Sequence, residues 1–360
     1  MAWFAGIRSS LQPLPLYAGL GLEFAWWYWF MGCVNTLDPV LVGWCPRPLT
    51  GLQGIAMLAI TLLLGKRLHG DALQGRIDLP MSLALLVASL LVGLPLDPEG
   101  AATRCTVALI LAGLGTAWCY IRWSGIYGLV SAQTTLVSAF SCFIVGTVLK
   151  TAMWVMPPVA GMICACCCAV ALLPCAAWLA RWTHGQQEQG EVPEPPPMLP
   201  DPRSRPRYLP AWWSSRWWRP WCPTALVVTT TASNSFDFLV EQAVVVLLSA
   251  SIIAWVTASG DEPNVGAFWK WLLGITGVLC VLIAVFPNEA FMGVLIHGLF
   301  SVLWLFLWVT LVNAARLSRL DPYLFVGIGS ALSWIPYAAG SIVVQALHVQ
   351  DYSHSLLLAS

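Results

Sequence analysis

The chain has 360 residues, of which 58% are hydrophobic and 9% are charged, and its formal net charge is +0. Soluble domains carry about 25% charged residues. The composition therefore excludes an ordinary soluble protein, predicts an all-α polytopic protein embedded in a lipid bilayer, and argues against a nucleic-acid contact by this chain.

Apolar runs long enough to cross a membrane occur on both sides of one polar break. A spanning helix needs about 20 largely apolar residues, and this rule predicts ten full transmembrane helices, six before the break and four after it. A last apolar run at Leu356–Leu358 resembles the start of an eleventh span, so the pattern predicts an incomplete six-plus-six arrangement. The predicted spans are Pro15–Val34, Leu49–Leu64, Pro80–Leu96, Ala101–Tyr120, Gly125–Leu149, Thr151–Leu179, Asn234–Ala258, Val265–Phe286, Ala290–Ala315 and Pro322–Leu347.

The polar break, Thr183–Pro223, divides the chain into two membrane halves. It is rich in proline and disfavours a helix or a core, so we interpret it as an extended linker. The predicted domains are an N-terminal six-helix bundle at 1–182, a cytoplasmic linker at 183–223 and an apparently truncated C-terminal bundle at 224–360. Tryptophan and arginine alternate near the end of the linker, which favours a position along the inner leaflet.

Basic residues in short loops indicate the orientation in the cell membrane. They favour a cytoplasmic N-terminus and place Arg122 in an inner loop. The same orientation places Lys150 and Arg316 in outer loops, where the positive charge of Arg316 conflicts with the excess of basic residues expected in inner loops. We retain the cytoplasmic N-terminus and linker because the arginines of the linker add to the bias of the first half.

Ionisable groups inside spans are the first functional candidates, because their burial in hydrocarbon is costly. Glu23, midway along the first span, is a candidate for ligand binding or proton coupling. Glu241, in the first span of the second half, has the same two interpretations, although Asp237 one turn earlier places it near the entrance of its span. The pair predicts that these two spans are equivalent in the two halves. His297 lies within a span and can titrate near neutral pH. For each residue the alternative is a structural side chain that is satisfied by a neighbouring helix.

Trp26 and Trp27 follow Glu23 by three and four residues. They belong to a run of aromatic residues that surrounds one helix. Part of that run must face inward, where it would suit a flat apolar or cationic ligand. Lipid-facing aromatic residues explain the same pattern. Small residues four apart, among them Gly21 and Ala25, let helices approach closely.

Signatures of enzymes are missing from the sequence: it has no phosphate-binding, nucleophile-elbow or zinc-protease motif. The five cysteines between Cys164 and Cys175 lie in one apolar run without spaced histidine partners, so they predict packing and no metal site. The sequence therefore predicts a protein that is not an enzyme and needs no cofactor.

Two six-span bundles with a long linker resemble the major facilitator superfamily. The loop after the second span, LLGKRLHGDALQGRIDL, is similar in kind to the signature loop of that superfamily through Gly65, Lys66, Arg67, Asp71 and Arg76. The tryptophan-rich spans and the segment DPYLFVGIGSALSW also resemble the sensor domain of membrane-anchored LuxR-type regulators. That resemblance implies a receptor half without its helix-turn-helix output domain.

Two classes of function follow. The first is a facilitator-like protein that binds a small molecule between its halves, as a transporter or as a sensor derived from one. The second is a non-transporting structural or interaction protein, such as an envelope or assembly protein, whose linker docks a protein partner.

Overall fold

The computed structural model describes residues 14–38, 48–69, 71–94, 100–188, 235–258, 269–272, 274–278, 281, 290–318 and 320–346. Almost all of these residues are helical and none of them lies in a strand, which confirms the all-α prediction. Seven of the described helices have the length and composition to cross a membrane. The chain is therefore a multi-span helical membrane protein, and the number of ten spans stays a prediction.

Nine long helices occur in the described part of the chain. They are α1 (Leu14–Leu37), α2 (Pro48–Leu64), α3 (Asp71–Gly93), α4 (Ala101–Gly128), α5 (Ala132–Val155), α6 (Pro158–Glu188), α7 (Ser235–Ala258), α8 (Ala290–Leu317) and α9 (Pro322–Ala346). A short 3₁₀ helix, Gly65–His69, joins α2 to α3. The predicted linker lies outside the described residues except for Thr183–Glu188, which continue α6. The run Leu356–Leu358 also lies outside them.

The first residues of the helices follow from local chemistry. Three helices begin at Pro48, Pro158 and Pro322, because the missing N–H of proline costs no hydrogen bond in a first turn. Ser131 precedes α5, and its hydroxyl accepts a hydrogen bond from the backbone N–H of Thr134 at 3.1 Å. Such a cap satisfies one of the free N–H groups at the start of a helix.

Three predicted helix starts are wrong. α5 begins at Ala132, later than the predicted Gly125, since α4 continues to Gly128. α3 begins at Asp71 and holds Pro80 in its interior, which membrane helices tolerate because neighbouring groups can satisfy the freed carbonyl. α6 begins at Pro158, later than the predicted Thr151, and Met156 between α5 and α6 is extended with ψ of 153°. The residue before a proline avoids helical geometry, so the proline pair separates the two helices.

The helices run between two ends of one bundle, which we name the near end, where α1 begins, and the far end, where α1 finishes. α4 finishes at the near end, since the hydroxyl of Tyr127 donates to the carbonyl of Leu16 at 3.1 Å. α6 begins at the far end, where Gly161 lies beside the indole of Trp29. Helices α1 to α6 therefore alternate in direction, and α6 finishes at the near end.

α7 begins at the far end. Phe238, near its start, stacks on Trp154, at the end of α5, with ring centroids 4.7 Å apart. α7 thus runs in the direction of α2, opposite to α1. The predicted equivalence of the span holding Glu23 with the span holding Glu241 is therefore wrong.

The contacts between helices are consistent with a twofold relation of a different register. α2 packs against α9 and α4, and α4 also packs against α9. A twofold relation can exchange α2 with α7, α4 with α8 and α5 with α9. It then converts the α2–α9 contact to α7–α5, the α2–α4 contact to α7–α8 and the α4–α9 contact to α8–α5. All three of these contacts are present. α7 is therefore the counterpart of α2 in this relation.

Close packing of α1 on α5 depends on glycine, so we expect Gly21→Ala to lower the free energy of unfolding by about 1–3 kcal/mol. A Cβ at Gly21 would lie 3.0 Å from the backbone nitrogen of Gly146 and closer still to the carbonyl oxygen of Cys142. The measurement is unfolding of the purified protein in mixed micelles by a denaturing detergent.

The matched control for Gly21→Ala is Gly32→Ala, because both positions lie in α1. A Cβ at Gly32 has no neighbour within 4 Å. Alanine is favoured over glycine in a helix by about 1 kcal/mol, so the control should keep or raise stability. Equal stability of the two variants would contradict the close approach of α1 and α5.

Candidate functional site

Three ionisable side chains from three helices form what we call the Lys150 cluster: Lys150 on α5, Glu241 on α7 and His297 on α8. The ammonium nitrogen of Lys150 lies 3.4 Å from Oε1 of Glu241, and Nδ1 of His297 lies 3.1 Å from the same oxygen. The Lys150 and Glu241 side chains are each only 11% exposed. The structure thus brings together Glu241 and His297, two of the predicted candidates, around a lysine.

Aromatic rings complete the surroundings of Lys150. Its ammonium nitrogen lies 3.5 Å from the ring centroid of Tyr28 on α1 and 5.2 Å from that of Phe238 on α7. The Tyr28 hydroxyl in turn lies 3.4 Å from the hydroxyl of Ser301 on α8. A carboxylate and the face of a ring both stabilise a desolvated ammonium group, so the cluster joins α1 and α5 to α7 and α8 with its charges compensated.

A second buried ion pair, between Asp78 on α3 and Arg122 on α4, lies toward the near end. Nε of Arg122 is 3.5 Å from Oδ2 of Asp78, and the indole N–H of Trp118 donates to Oδ1 at 2.7 Å. Arg122 also donates to the amide oxygen of Gln74, whose NH₂ group donates to the hydroxyl of Tyr323 on α9 at 2.8 Å. Polar contacts therefore join the first six helices to the later ones at both ends of the bundle.

Glu23 lies apart from both ion pairs. It is fully buried. Tyr120 on α4 is its polar neighbour, but neither carboxylate oxygen completes a hydrogen bond of standard geometry. A buried charge without a counter-charge is costly in a membrane. Glu23 therefore differs from Asp78 and Glu241, each of which has a basic side chain beside it.

Aromatic rings from four helices meet around Tyr120, the polar neighbour of Glu23, and we call them the Tyr120 group: Phe24, Tyr120, Trp308 and Trp334. Around the ring of Tyr120, the centroids lie at 5.0 Å for Trp334, 5.8 Å for Trp308 and 6.4 Å for Phe24. Phe24 and Tyr120 belong to the first half, and the two tryptophans belong to α8 and α9. Both halves therefore supply rings to the Tyr120 group, and Tyr120 is the member of the group that neighbours Glu23.

The other two predicted candidates have different surroundings. Trp26 is fully buried, its indole N–H donates to the hydroxyl of Ser89 on α3 at 2.7 Å, and its ring stacks on Phe30. Trp27 is partly buried and its ring meets that of Tyr28 edge-on with centroids 5.2 Å apart. Trp26 thus packs within the first half, away from the Tyr120 group.

Sequence reasoning missed the two buried basic residues because it ended helices at the wrong places. Arg122 was predicted in an inner loop, but α4 continues to Gly128 and the residue is 5% exposed. Lys150 was predicted in an outer loop, but α5 continues to Val155. The apolar residues after each position, such as TAMWV after Lys150, were the available signal that the helix goes on.

One apolar cavity of about 430 Å³ lies between α2, α4 and α9. No charged residue lines it, and several of its lining residues, including Ile55 and Ile110, are also exposed on the lipid-facing surface of the bundle. It is therefore separate from Glu23 and from both ion pairs. Within the described residues, no group of three histidine, cysteine, aspartate or glutamate side chains could hold a metal ion.

The fold and these buried charges define a polytopic α-helical membrane protein with ion pairs inside its helical bundle. No protein-family model matches the chain, and a search of curated proteins finds no match to it.

Proposed function

We propose that this chain is a facilitator-like membrane protein that binds a small molecule between its first six helices and its later helices. It acts as a transporter or as a transporter-derived sensor domain. The observation that carries the proposal is Glu23, a fully buried carboxylate without a complete hydrogen bond, whose polar neighbour Tyr120 meets tryptophan rings of the later helices. A binding site needs such an unsatisfied group to recognise its ligand.

The contacts between helices support the facilitator-like part of the proposal. The relation of α2, α4 and α5 to α7, α8 and α9 is the kind of internal repeat on which transporters are built. The Lys150 cluster at the far end and the contact of Gln74 with Tyr323 at the near end both join the two halves. Ligand access from either end would require one of these contacts to open.

The proposal is tested by thermal unfolding of the full chain, purified in detergent, with a panel of small cations, anions and neutral molecules. A ligand at 100 times its dissociation constant should stabilise the folded protein by about 2.7 kcal/mol. Trp334→Phe should weaken this stabilisation. Trp271→Phe is the matched control, because Trp271 is 71% exposed.

Flux into proteoliposomes then separates the two modes of action. Transport of the bound molecule identifies a transporter, and binding without flux identifies a sensor domain. Stabilisation by no member of the panel, together with capture of a protein partner by residues 183–223, would overturn the proposal in favour of an interaction protein.

A further inference from the structure

We infer that the ligand presents a monovalent organic cation to Glu23, held by this carboxylate and by the aromatic faces of the Tyr120 group. The inference rests on the proposed function and names the chemical class of its ligand. Two observations support it: Glu23 differs from the other buried acids in having no basic neighbour among the described side chains, and the aromatic rings of the Tyr120 group surround its neighbour Tyr120.

Three acidic side chains are buried in the described part of the chain: Glu23, Asp78 and Glu241. Arg122 lies 3.5 Å from Asp78, and Lys150 lies 3.4 Å from Glu241. Each of these two acids thus has a cation supplied by a neighbouring helix.

Glu23 is the most deeply buried of the three acids, and the hydroxyl of Tyr120 is its polar neighbour. Among the described residues, no basic side chain lies beside it. The ionised form of this carboxylate therefore has no counter-charge from a described side chain. A ligand with one cationic group would balance it.

The rings beside Glu23 favour a cation with an apolar body. Cations are attracted to aromatic faces, most strongly to tryptophan, and Trp308 and Trp334 both meet the ring of Tyr120 edge-on at 82°. The indole N–H of Trp308 is buried without an acceptor, so an oxygen atom of the ligand would find a donor there. The same arrangement disfavours an anion, which would meet both the carboxylate and the negative faces of the rings.

The site is closed in this structure, because Glu23 is fully buried. α8 and α9 supply the two tryptophans, whereas α1 and α4 supply Glu23 and Tyr120. A ligand can therefore enter when α8 and α9 separate from α1 and α4. The competing explanation is that Glu23 carries a proton and only fills space.

The test is calorimetric titration of the purified full chain with three probes of similar shape: benzyltrimethylammonium, its neutral carbon isostere neopentylbenzene, and the anion benzylsulfonate. We expect the cation to bind best. Glu23→Gln should weaken cation binding by at least about 30-fold, the effect of removing one partner of a buried charge pair. Glu23→Asp keeps the charge and should retain most of the binding.

The unliganded variants control for folding. Glu23→Gln has nearly the same shape as a protonated glutamate, so its thermal unfolding without probe should stay close to that of the original chain. If Glu23→Gln binds the cation as tightly as the original chain does, Glu23 is structural and the inference is wrong. If the neutral or anionic probe binds as well as the cation, the inference is wrong but the proposed function stands. If none of the three probes binds but another member of the panel does, the inference alone fails.

Discussion

Lys150→Met is expected to lower the free energy of unfolding by about 3–5 kcal/mol, the cost of leaving a buried charge without its partner. Lys150 is the ammonium group that lies 3.4 Å from Glu241, and both side chains are 11% exposed. Methionine keeps the length and apolar volume of the lysine side chain, so the loss reports the missing charge. The measurement is unfolding of the purified chain in mixed micelles.

The double variant Lys150→Met/Glu241→Gln separates charge from packing. It removes both charges, so it should recover much of the stability that the single variant loses, and the cycle should give a coupling energy of about 0.5–3 kcal/mol. His297→Asn should have a smaller effect, because Lys150 still neutralises Glu241. If the double variant is as unstable as the sum of the two single variants, the two side chains do not interact and the Lys150 cluster is not a buried ion pair.

The sequence predicts the helical class and most helix positions because both depend on local composition. Eighteen or more apolar residues must form a helix in a bilayer, so α1, α7, α8 and α9 begin within one residue of their predicted starts. Boundaries fail where a charge lies inside a helix. Arg122 and Lys150 were taken as loop residues, since the acids that neutralise them, Asp78 and Glu241, lie on other helices.

The candidate site could be predicted only in part, because its contacts join residues of different helices. Glu23 stands out in the sequence as an acid within an apolar span. Tyr120, Trp308 and Trp334 do not, because 21 tryptophans and 8 tyrosines occur in the chain and most positions suit a lipid-facing ring equally well. Their meeting beside Glu23 depends on the packing of α4 against α8 and α9, which no local pattern contains.

The direction of α7 relative to α5 could not be predicted, because the sequence gives no direct sign of it. Arg316, predicted on the outer side, donates to the carbonyl oxygen of Val130 in the turn between α4 and α5 at 2.8 Å. This turn was predicted to be cytoplasmic. Arg316 therefore lies at the near end, and its conflict with the positive-inside rule disappears.

The other described basic residues agree with this assignment. Trp269 donates to the hydroxyl of Thr310, near the end of α8, at 3.1 Å, so the helical stretch at 269–272 also lies toward the near end. Arg104 and Lys150 lie toward the far end. The basic residues toward the near end are Lys66, Arg67, Arg76, Arg122, Arg181, Lys270 and Arg316. The positive-inside rule therefore predicts that the near end is cytoplasmic.

Epitope tags inserted after Gly190 and after Asn234 are expected to lie on opposite sides of the membrane. α6 finishes at the near end, whereas α7 begins at the far end, where Phe238 stacks on Trp154. The last residues of α6 and the first residues of α7 therefore lie at opposite ends of the bundle. The measurement is accessibility of each tag to antibody in intact and in permeabilised cells.

Tags in the two short turns calibrate the result. A tag in the α4–α5 turn, at Val130, marks the near end, and a tag in the α5–α6 turn, at Met156, marks the far end. The tag after Gly190 should react with antibody only after permeabilisation, as the Val130 tag does. The tag after Asn234 should react in intact cells, as the Met156 tag does. If both inserted tags behave like the Val130 tag, the linker stays on one side of the membrane and the direction of α7 in the bundle is wrong.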